Sequence, residues 1–368
     1  MLLSLAPILL LVALLSTSVA LFGSDASYGP NQVALVVAAG ATMLVGWRRG
    51  MSWQQIQDGM VGAITVSIMP MMILLSVGAL IGSWIISGTV PGMIFYGLQL
   101  LNPDIFYAAS AVICALASLS LGSSWTVAGT LGIGLMGIAT TYGLSPAITA
   151  GAIISGAYFG DKLSPLSDTT NLAAAAVGVD LFEHIKNMLW TTLPAFALAL
   201  LFFAIIGSEG AAAPDDITRI RAALSDQFAI TPWVLSPLVL MLAMIYFKIP
   251  AYPAILLCTL CGTAYGAVFQ PEVVRTMALT AHPDSPAPLL QGLWMALFSG
   301  YQSPADMDQL SQLLNKGGLA SMLNTIFLIL TAMTFGGLLD STGILRQLLD
   351  LVLKGVKRTG DLILATVG

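Results

Sequence analysis

One run of this sequence concentrates the residues able to do chemistry: Gly151-Ala-Ile-Ile-Ser-Gly-Ala-Tyr-Phe-Gly-Asp-Lys-Leu-Ser-Pro-Leu-Ser-Asp-Thr-Thr-Asn171. It holds three ionisable groups, Asp161, Lys162 and Asp168, among the neutral oxygens of Ser155, Ser164, Ser167, Thr169, Thr170 and Asn171. Apolar stretches flank it, 146–159 before and 172–179 after. An ionised side chain at membrane depth costs about 2.5–3.5 kcal/mol on insertion scales, so such groups mark functional sites. Carboxylate, hydroxyl, amide and backbone carbonyl are the ligands of a small hard cation such as Na+, and no soft ligand occurs in the run. Asp161 is the principal candidate, with Ser164, Asp168, Thr169, Thr170 and Asn171 in support. Desolvation raises the pKa of a buried carboxyl. One carboxylate can then hold a proton or a cation but not both, and that competition suffices for cation/proton exchange. Bland roles stand beside these. Asp168 suits a helix N-cap, Lys162 either neutralises Asp161 or is the charge a cation displaces, and hydroxyls and amides also join helices.

A second polar interruption, Ser118-Leu-Ser-Leu-Gly-Ser-Ser-Trp-Thr-Val-Ala-Gly-Thr130, lies between apolar residues 106–121 and 131–139. Its glycines and hydroxyls fit the tip of a re-entrant hairpin, which would carry Ser123, Ser124 and Thr126 toward Asp161. A small-residue helix interface is the other reading. Gly160 and Pro165 are expected to end a helix, Gly by adopting a C-terminal conformation and Pro by lacking the amide N–H. The partial negative charge of that helix end would then lie beside Asp161. His184, in Glu183-His-Ile-Lys186, could relay protons but fits a headgroup-level position better.

The elements that must carry these residues are membrane helices. The chain is 368 residues long, 57% hydrophobic and only 8% charged, against about a quarter charged in soluble domains. Apolar runs long enough, or nearly so, to span a bilayer occur at 2–22, 32–47, 64–82, 189–207, 233–247, 254–269 and 319–339. In lipid such runs must be helical, because an open sheet edge has no partner there. The 13 Lys+Arg against 18 Asp+Glu argue against a nucleic-acid partner. The first run lacks the basic n-region of a signal peptide and exceeds a normal h-region. Cys114, Cys258 and Cys261 sit in apolar segments, and Cys258-x-x-Cys261 supplies too few ligands for a structural zinc site, which needs about four. Near the site there is no nucleophile–His–acid set, which argues against an enzyme, and no repeated filter sequence of a channel. No cofactor is implied.

Positive charge orients the chain. Arg48 and Arg49 place the loop after the second run, and hence the N-terminus, in the cytoplasm; His184, Lys186 and Lys248 agree. The stretches 208–230 and 271–318 then become external loops, and the 319–339 helix runs inward toward Arg346, Lys354, Lys357 and Arg358. Gly82…Gly88 and Gly337…Gly343 repeat a Gly-x5-Gly pattern after a long apolar helix, with opposite orientation. Inverted repeats of this kind are a signature of secondary transporters. The expected organisation is one transmembrane transporter domain over 1–368. Within it, 59–207 forms a first repeat with the ion site, 208–318 loops and connecting helices, and 319–368 the start of a second, truncated inverted repeat.

Three blocks of residues resemble the NhaC-type Na+/H+ antiporter family: Ile81-Gly-Ser-Trp-x-x-Ser-Gly-Thr-Val-Pro91, Gly122-Ser-Ser-Trp-Thr-x-Ala-Gly-Thr130, and Ser155-Gly-Ala-Tyr-Phe-Gly-Asp-Lys-Leu-Ser-Pro-Leu-Ser-Asp-Thr-Thr-Asn-Leu172. His184-Ile-Lys-x-Met188 and Thr191-Thr-x-Pro194 extend the likeness. The resemblance implies a multi-pass plasma-membrane antiporter of inverted-repeat fold, expelling cytoplasmic Na+ in exchange for external H+. It also implies a chain that continues past the equivalent of Gly368. The same family covers exchangers of malate with protons against sodium-lactate, which is the alternative reading. Na+, H+ and the lipid bilayer are the expected partners, and a homo-oligomer is compatible with the sequence.

Overall fold

The computed structural model describes residues 2–165, 167–206, 214–247, 249–303 and 314–353. Among them every regular element is helical, as a chain solvated by lipid requires. Among the described residues seven helices are long and apolar enough to cross a membrane: Leu5–Ser27, Pro30–Arg48, Trp53–Ile86, Pro103–Ser120, Leu181–Ile206, Ala251–Phe269 and Ala320–Ser341. This is a multi-pass membrane protein. Six of these match the apolar runs of the sequence. The run at 233–247 is different: its helix is short, and the pair Ile217–Gln227 and Pro232–Met244 bends by 90° at its break. The segment Pro103–Ser120, which the sequence marked only as a hairpin arm, is long enough to cross.

Two compact units divide the chain: residues 1–74 with 322–368, and residues 75–321. The first unit contains α1 (Leu2–Phe22), α2 (Pro30–Arg48), most of α3 (Trp53–Ile86), and nearly all of α16 (Ala320–Ser341) with α17 (Ile344–Leu353). Leu35, Ala38, Ala39, Ile56, Phe335 and Leu338 form its core. Polar clips fix the direction of its helices. At one end, buried Gln32 of α2 donates to Ser27 O (2.9 Å) and to Asn324 Oδ1 (3.1 Å) of α16. At the other, Arg49 donates to Thr342 O (2.7 Å) and to Gln347 Oε1 (3.0 Å). Thus α2 and α16 run parallel. α3 returns antiparallel to both, and its Gly59 meets Gly337 and Ser341 so closely that a Cβ there would lie 2.5 Å from Ser341 Oγ.

The second unit carries α4 (Thr89–Leu100), α5 (Phe106–Leu121), α6 (Ser124–Gly129), α7 (Leu131–Thr141), α8 (Pro146–Leu163), α9 (Asp168–Val177) and α10 (Leu181–Ile206). Beyond them lie α11 (Pro214–Gln227), α12 (Ser236–Tyr246), α13 (Ala251–Phe269), α14 (Pro271–Ala281) and α15 (Pro288–Phe298). The stretches expected as external loops are therefore largely helical. Pro214, Pro271 and Pro288 each start a helix, where a missing N–H costs nothing, and polar composition hid the short amphipathic helices behind them. Lys248, Lys354, Lys357 and Arg358, used above for topology, lie outside the described residues.

Candidate functional site

The site is assembled by the packing of α5 on α8. Gly156 and Gly160 lie one turn apart on the α8 face that crosses α5. A Cβ at Gly156 would collide with Ala111 O, and one at Gly160 with Ala115 O, Leu119 N and Ser118 Cβ. The helices can approach this closely only because both positions lack a side chain. This corrects one expectation: Gly160 does not end its helix. α8 continues to Leu163, and the break falls after it at Pro165, whose ring cannot continue the helix.

The continuation puts Asp161 in the last turn of α8, buried with 9% of its surface exposed. The α5 side of the site is a tight turn. Gly122 ends α5 in the left-handed region at φ 67°, with its N–H bonded to Ser118 O at 2.7 Å. Ser123 then caps α6, its Oγ accepting from Thr126 N at 3.3 Å and sharing a 2.9 Å contact with Thr126 Oγ1. That turn delivers Ser124, 4% exposed, onto the carboxylate, where its hydroxyl donates to Asp161 Oδ2 at 2.7 Å. A hydroxyl bonded to a carboxylate at this distance is among the stronger hydrogen bonds of proteins.

The segment after the break folds back on the same helix end. Thr170, 3% exposed, donates through Oγ1 to the carbonyl oxygens of Asp161 and Lys162, at 3.1 Å each. Ser164 N–H also donates to Asp161 O, at 3.2 Å, and the Ser164 side chain is fully buried. Ser167 caps α9: its Oγ accepts from Thr170 N at 3.4 Å, and its carbonyl accepts from Asn171 N at 3.0 Å. The N-cap considered for Asp168 thus belongs to Ser167. Asp168 is the first residue of α9, where a negative charge suits the helix dipole; its side chain lies outside the described residues.

Asp161, Ser124, Ser164 and Thr170 are therefore brought together at one buried helix end. The hydrogen bonds of Ser123, Thr126, Thr169 and Asn171 go elsewhere. Thr126 bonds to Ser123 instead. Thr169 is exposed and shares its hydroxyl with Ser167 at 2.8 Å. Asn171 spends its amide on Pro165 O and Ser167 O, at 2.9 and 2.8 Å. Lys162 is exposed and makes no ion pair with Asp161. Among the described residues no group of three or more His, Cys, Asp or Glu could hold a metal; the oxygens that meet at this helix end are the Asp161 carboxylate, hydroxyls and carbonyls. The Gly156-x-x-x-Gly160 seam and the Ser167 cap were not anticipated. Both carry a readable signal: small residues four apart in an apolar helix, and a serine just before a helical run.

A helical membrane protein with a buried carboxylate at an interrupted helix, its side chain bonded by one neighbouring segment and its backbone carbonyl by another, fits the class of membrane transporters with embedded ionisable sites. Comparison with known proteins narrows the class. Residues 156–368 match the model of the Na+/H+ antiporter family. The chain is 37% identical over 345 residues to the Na+/H+ antiporter NhaC of Alkalihalophilus pseudofirmus, covering 92% of this chain and 69% of that protein. It is 35% identical over 341 residues to the malate-2H+/Na+-lactate antiporter of Bacillus subtilis, with the same two coverages. To the arginine/ornithine antiporter ArcD of Halobacterium salinarum it is 31% identical over 377 residues, covering 99% of this chain and 72% of that protein. The chain belongs to the Na+/H+ antiporter family.

Proposed function

We propose that this protein exchanges cytoplasmic Na+ for external H+ by alternating access, with the two ions competing at Asp161. The observation that carries the reading is the buried Asp161 carboxylate held by Ser124 beside the carbonyls that Thr170 gathers. The proton form satisfies the carboxyl by one covalent bond. The Na+ form needs the surrounding oxygens, and Ser124, Ser164, Thr170 and the carbonyls of Asp161 and Lys162 supply them; Asp168, Thr169 and Asn171 lie on the segment that closes over the helix end. Na+-dependent pH change in everted vesicles tests this. Asp161→Asn is expected to abolish it, and an undiminished signal would sink the assignment.

The inverted repeat belongs to the same proposal. Each copy has a long helix, then a glycine in the left-handed region (Gly88 at φ 79°, Gly343 at φ 72°), then a second helix. α3 and α16, the long helices of the two copies, are antiparallel within the first unit. Placement of the N-terminus in the cytoplasm is supported by Arg48, Arg49 and Arg346, which gather at one end of that unit. A plasma-membrane location follows from the proposed work of expelling Na+. A second reading, exchange of malate and protons for sodium-lactate, is favoured by the likeness to the Bacillus subtilis protein and by Lys162, which leaves Asp161 uncompensated. Replacing the Na+ pulse with malate against internal Na+-lactate separates the two.

A further inference from the structure

In the first unit an apolar groove of about 370 Å³ opens where α2 ends and α3 begins, lined by Met43, Leu44, Trp47, Met51, Trp53 and Ile56. The turn between the two helices builds it. Gly50 takes the chain through the left-handed region at φ 83°, its N–H donating to Trp47 O at 2.9 Å and that of Met51 to Gly46 O at 3.2 Å. The returning chain lays Met51 and Ile56 along α2: a Cβ added at Gly46 would lie 3.4 Å from Met51 Sδ and 3.7 Å from Ile56 Cδ1. Ile56 is buried in the unit's core, with Met43 and Met51 packed against it, so the floor of the groove is fixed. Leu44, Trp47 and Trp53, by contrast, are exposed along its walls.

Charge stands at one end of this groove. Arg48 follows Leu44 by four residues, one turn further along the same face of α2. It is exposed, and no described residue hydrogen-bonds or ion-pairs with its guanidinium. Its neighbour Arg49 is engaged by Thr342 O and Gln347 Oε1. The acids nearby face elsewhere. Asp58 of α3 accepts from Gln54 Nε2 at 3.0 Å and, two residues past Ile56, lies on the opposite side of its helix. Asp340 of α16 is likewise two residues from Thr342, the side chain that meets α2 at Gly46. Tryptophans and arginine at a helix end mark the headgroup level of a bilayer, and a basic group beside an apolar slot there selects anionic lipid. The six apolar side chains match an acyl chain, and the guanidinium matches a phosphate, which it can meet with two parallel hydrogen bonds. A zwitterionic choline headgroup would bring a second cation to the same arginine.

We infer that this groove binds one anionic phospholipid, with an acyl chain between Trp47 and Trp53 and the phosphate on Arg48. Asp161 belongs to the second unit, and lipid occupancy is read without any ion gradient, so this site stands or falls independently of the exchange proposed above. The test is native mass spectrometry of the purified chain in detergent, titrated with phosphatidylglycerol and, in parallel, with phosphatidylcholine of the same acyl chains. One phosphatidylglycerol should be retained at concentrations where phosphatidylcholine is not. Arg48→Gln should weaken its binding by about fivefold or more, the loss of a basic group at the headgroup level. Leu44→Trp, which fills the slot and leaves the charge, should weaken it by about tenfold or more, as displacing two buried methylenes would. Both positions are exposed, so neither variant disturbs the core. Arg275→Gln removes an equal charge from α14 in the second unit and should change the affinity by less than about twofold, because distant charges are screened. Equal retention of the two lipids, unchanged affinity in either groove variant, an equal loss in Arg275→Gln, or a lipid-free dimer that Leu44→Trp disrupts would each overturn the assignment.

Discussion

Ser124 donates the hydrogen bond that the Asp161 carboxylate receives among the described residues, and it reaches across 37 positions of sequence to do so. A hydroxyl that supports a charged carboxylate is worth about 1.5–3 kcal/mol. If the ionised, cation-holding form is the one supported, Ser124→Ala should raise the Na+ concentration for half-maximal exchange by about tenfold or more. Ser124→Thr should restore most of the loss. Half-saturation measured in everted vesicles decides it, and an unchanged value in Ser124→Ala would remove Ser124 from the site. Ser167 works differently, because its Oγ serves a backbone N–H of α9. Ser167→Ala should cost about 0.5–2 kcal/mol of stability, as lost N-caps do, and appear as a lowered melting temperature. Asp161 stood out in the sequence as a carboxyl in a charged interruption of apolar segments, with Lys162 and Asp168 close by. The identity of its partner was not legible, since Ser123, Thr126, Ser164, Thr169, Thr170 and Asn171 offered similar oxygens.

At the scale of elements, the α5–α8 crossing is what the site depends on. Gly151, Gly156 and Gly160 lie in the same helix and make opposite predictions. A Cβ at Gly151 would meet nothing within 4 Å, whereas those at Gly156 and Gly160 would strike the α5 backbone. Gly156→Ala and Gly160→Ala should therefore each destabilise the protein by about 1–3 kcal/mol through overpacking. Gly151→Ala should be neutral or stabilising by up to about 1 kcal/mol, the helix-propensity gain. Thermal unfolding in detergent, followed by reaction of the buried Cys114 thiol, measures both. Equal melting temperatures for all three variants would show that the close crossing is not what holds the helices. The sequence suggested helix termination for Gly160 because glycine ends helices and also permits tight packing, and local pattern alone does not choose between these. Contact with Ala115 and Leu119 chooses.

For the molecule as a whole, the sidedness of the first unit is the prediction to check. Arg49 clips the end of α16 through Thr342 O and Gln347, so the loop after α2 and the turn before α17 must face the same compartment. From the positive charge at Arg48, Arg49 and Arg346, we predict that compartment to be the cytoplasm. With the native cysteines replaced, Ser52→Cys and Arg346→Cys should both react with a membrane-impermeant maleimide in everted vesicles. Both should be protected in intact cells. Reaction of the two from opposite sides would contradict the parallel course of α2 and α16.

Composition and the lengths of the apolar runs determined by themselves that the chain is helical and crosses the membrane repeatedly. One charged interruption supplied the candidate site, the stretch around Asp161. These are one-dimensional properties: transfer to lipid depends on each segment's own side chains, and an ionised carboxyl in an apolar segment is costly to insert. The tertiary structure decided which oxygens meet, that α8 runs on through Gly160, that Ser167 caps α9, and that 208–230 and 271–318 contain helices. Each of these outcomes depends on a local competition between near-equal choices. For α8 it is settled by a segment distant in sequence, the α5 backbone against Gly156 and Gly160 that brings Ser124 onto Asp161, whereas the Ser167 cap is made within its own segment.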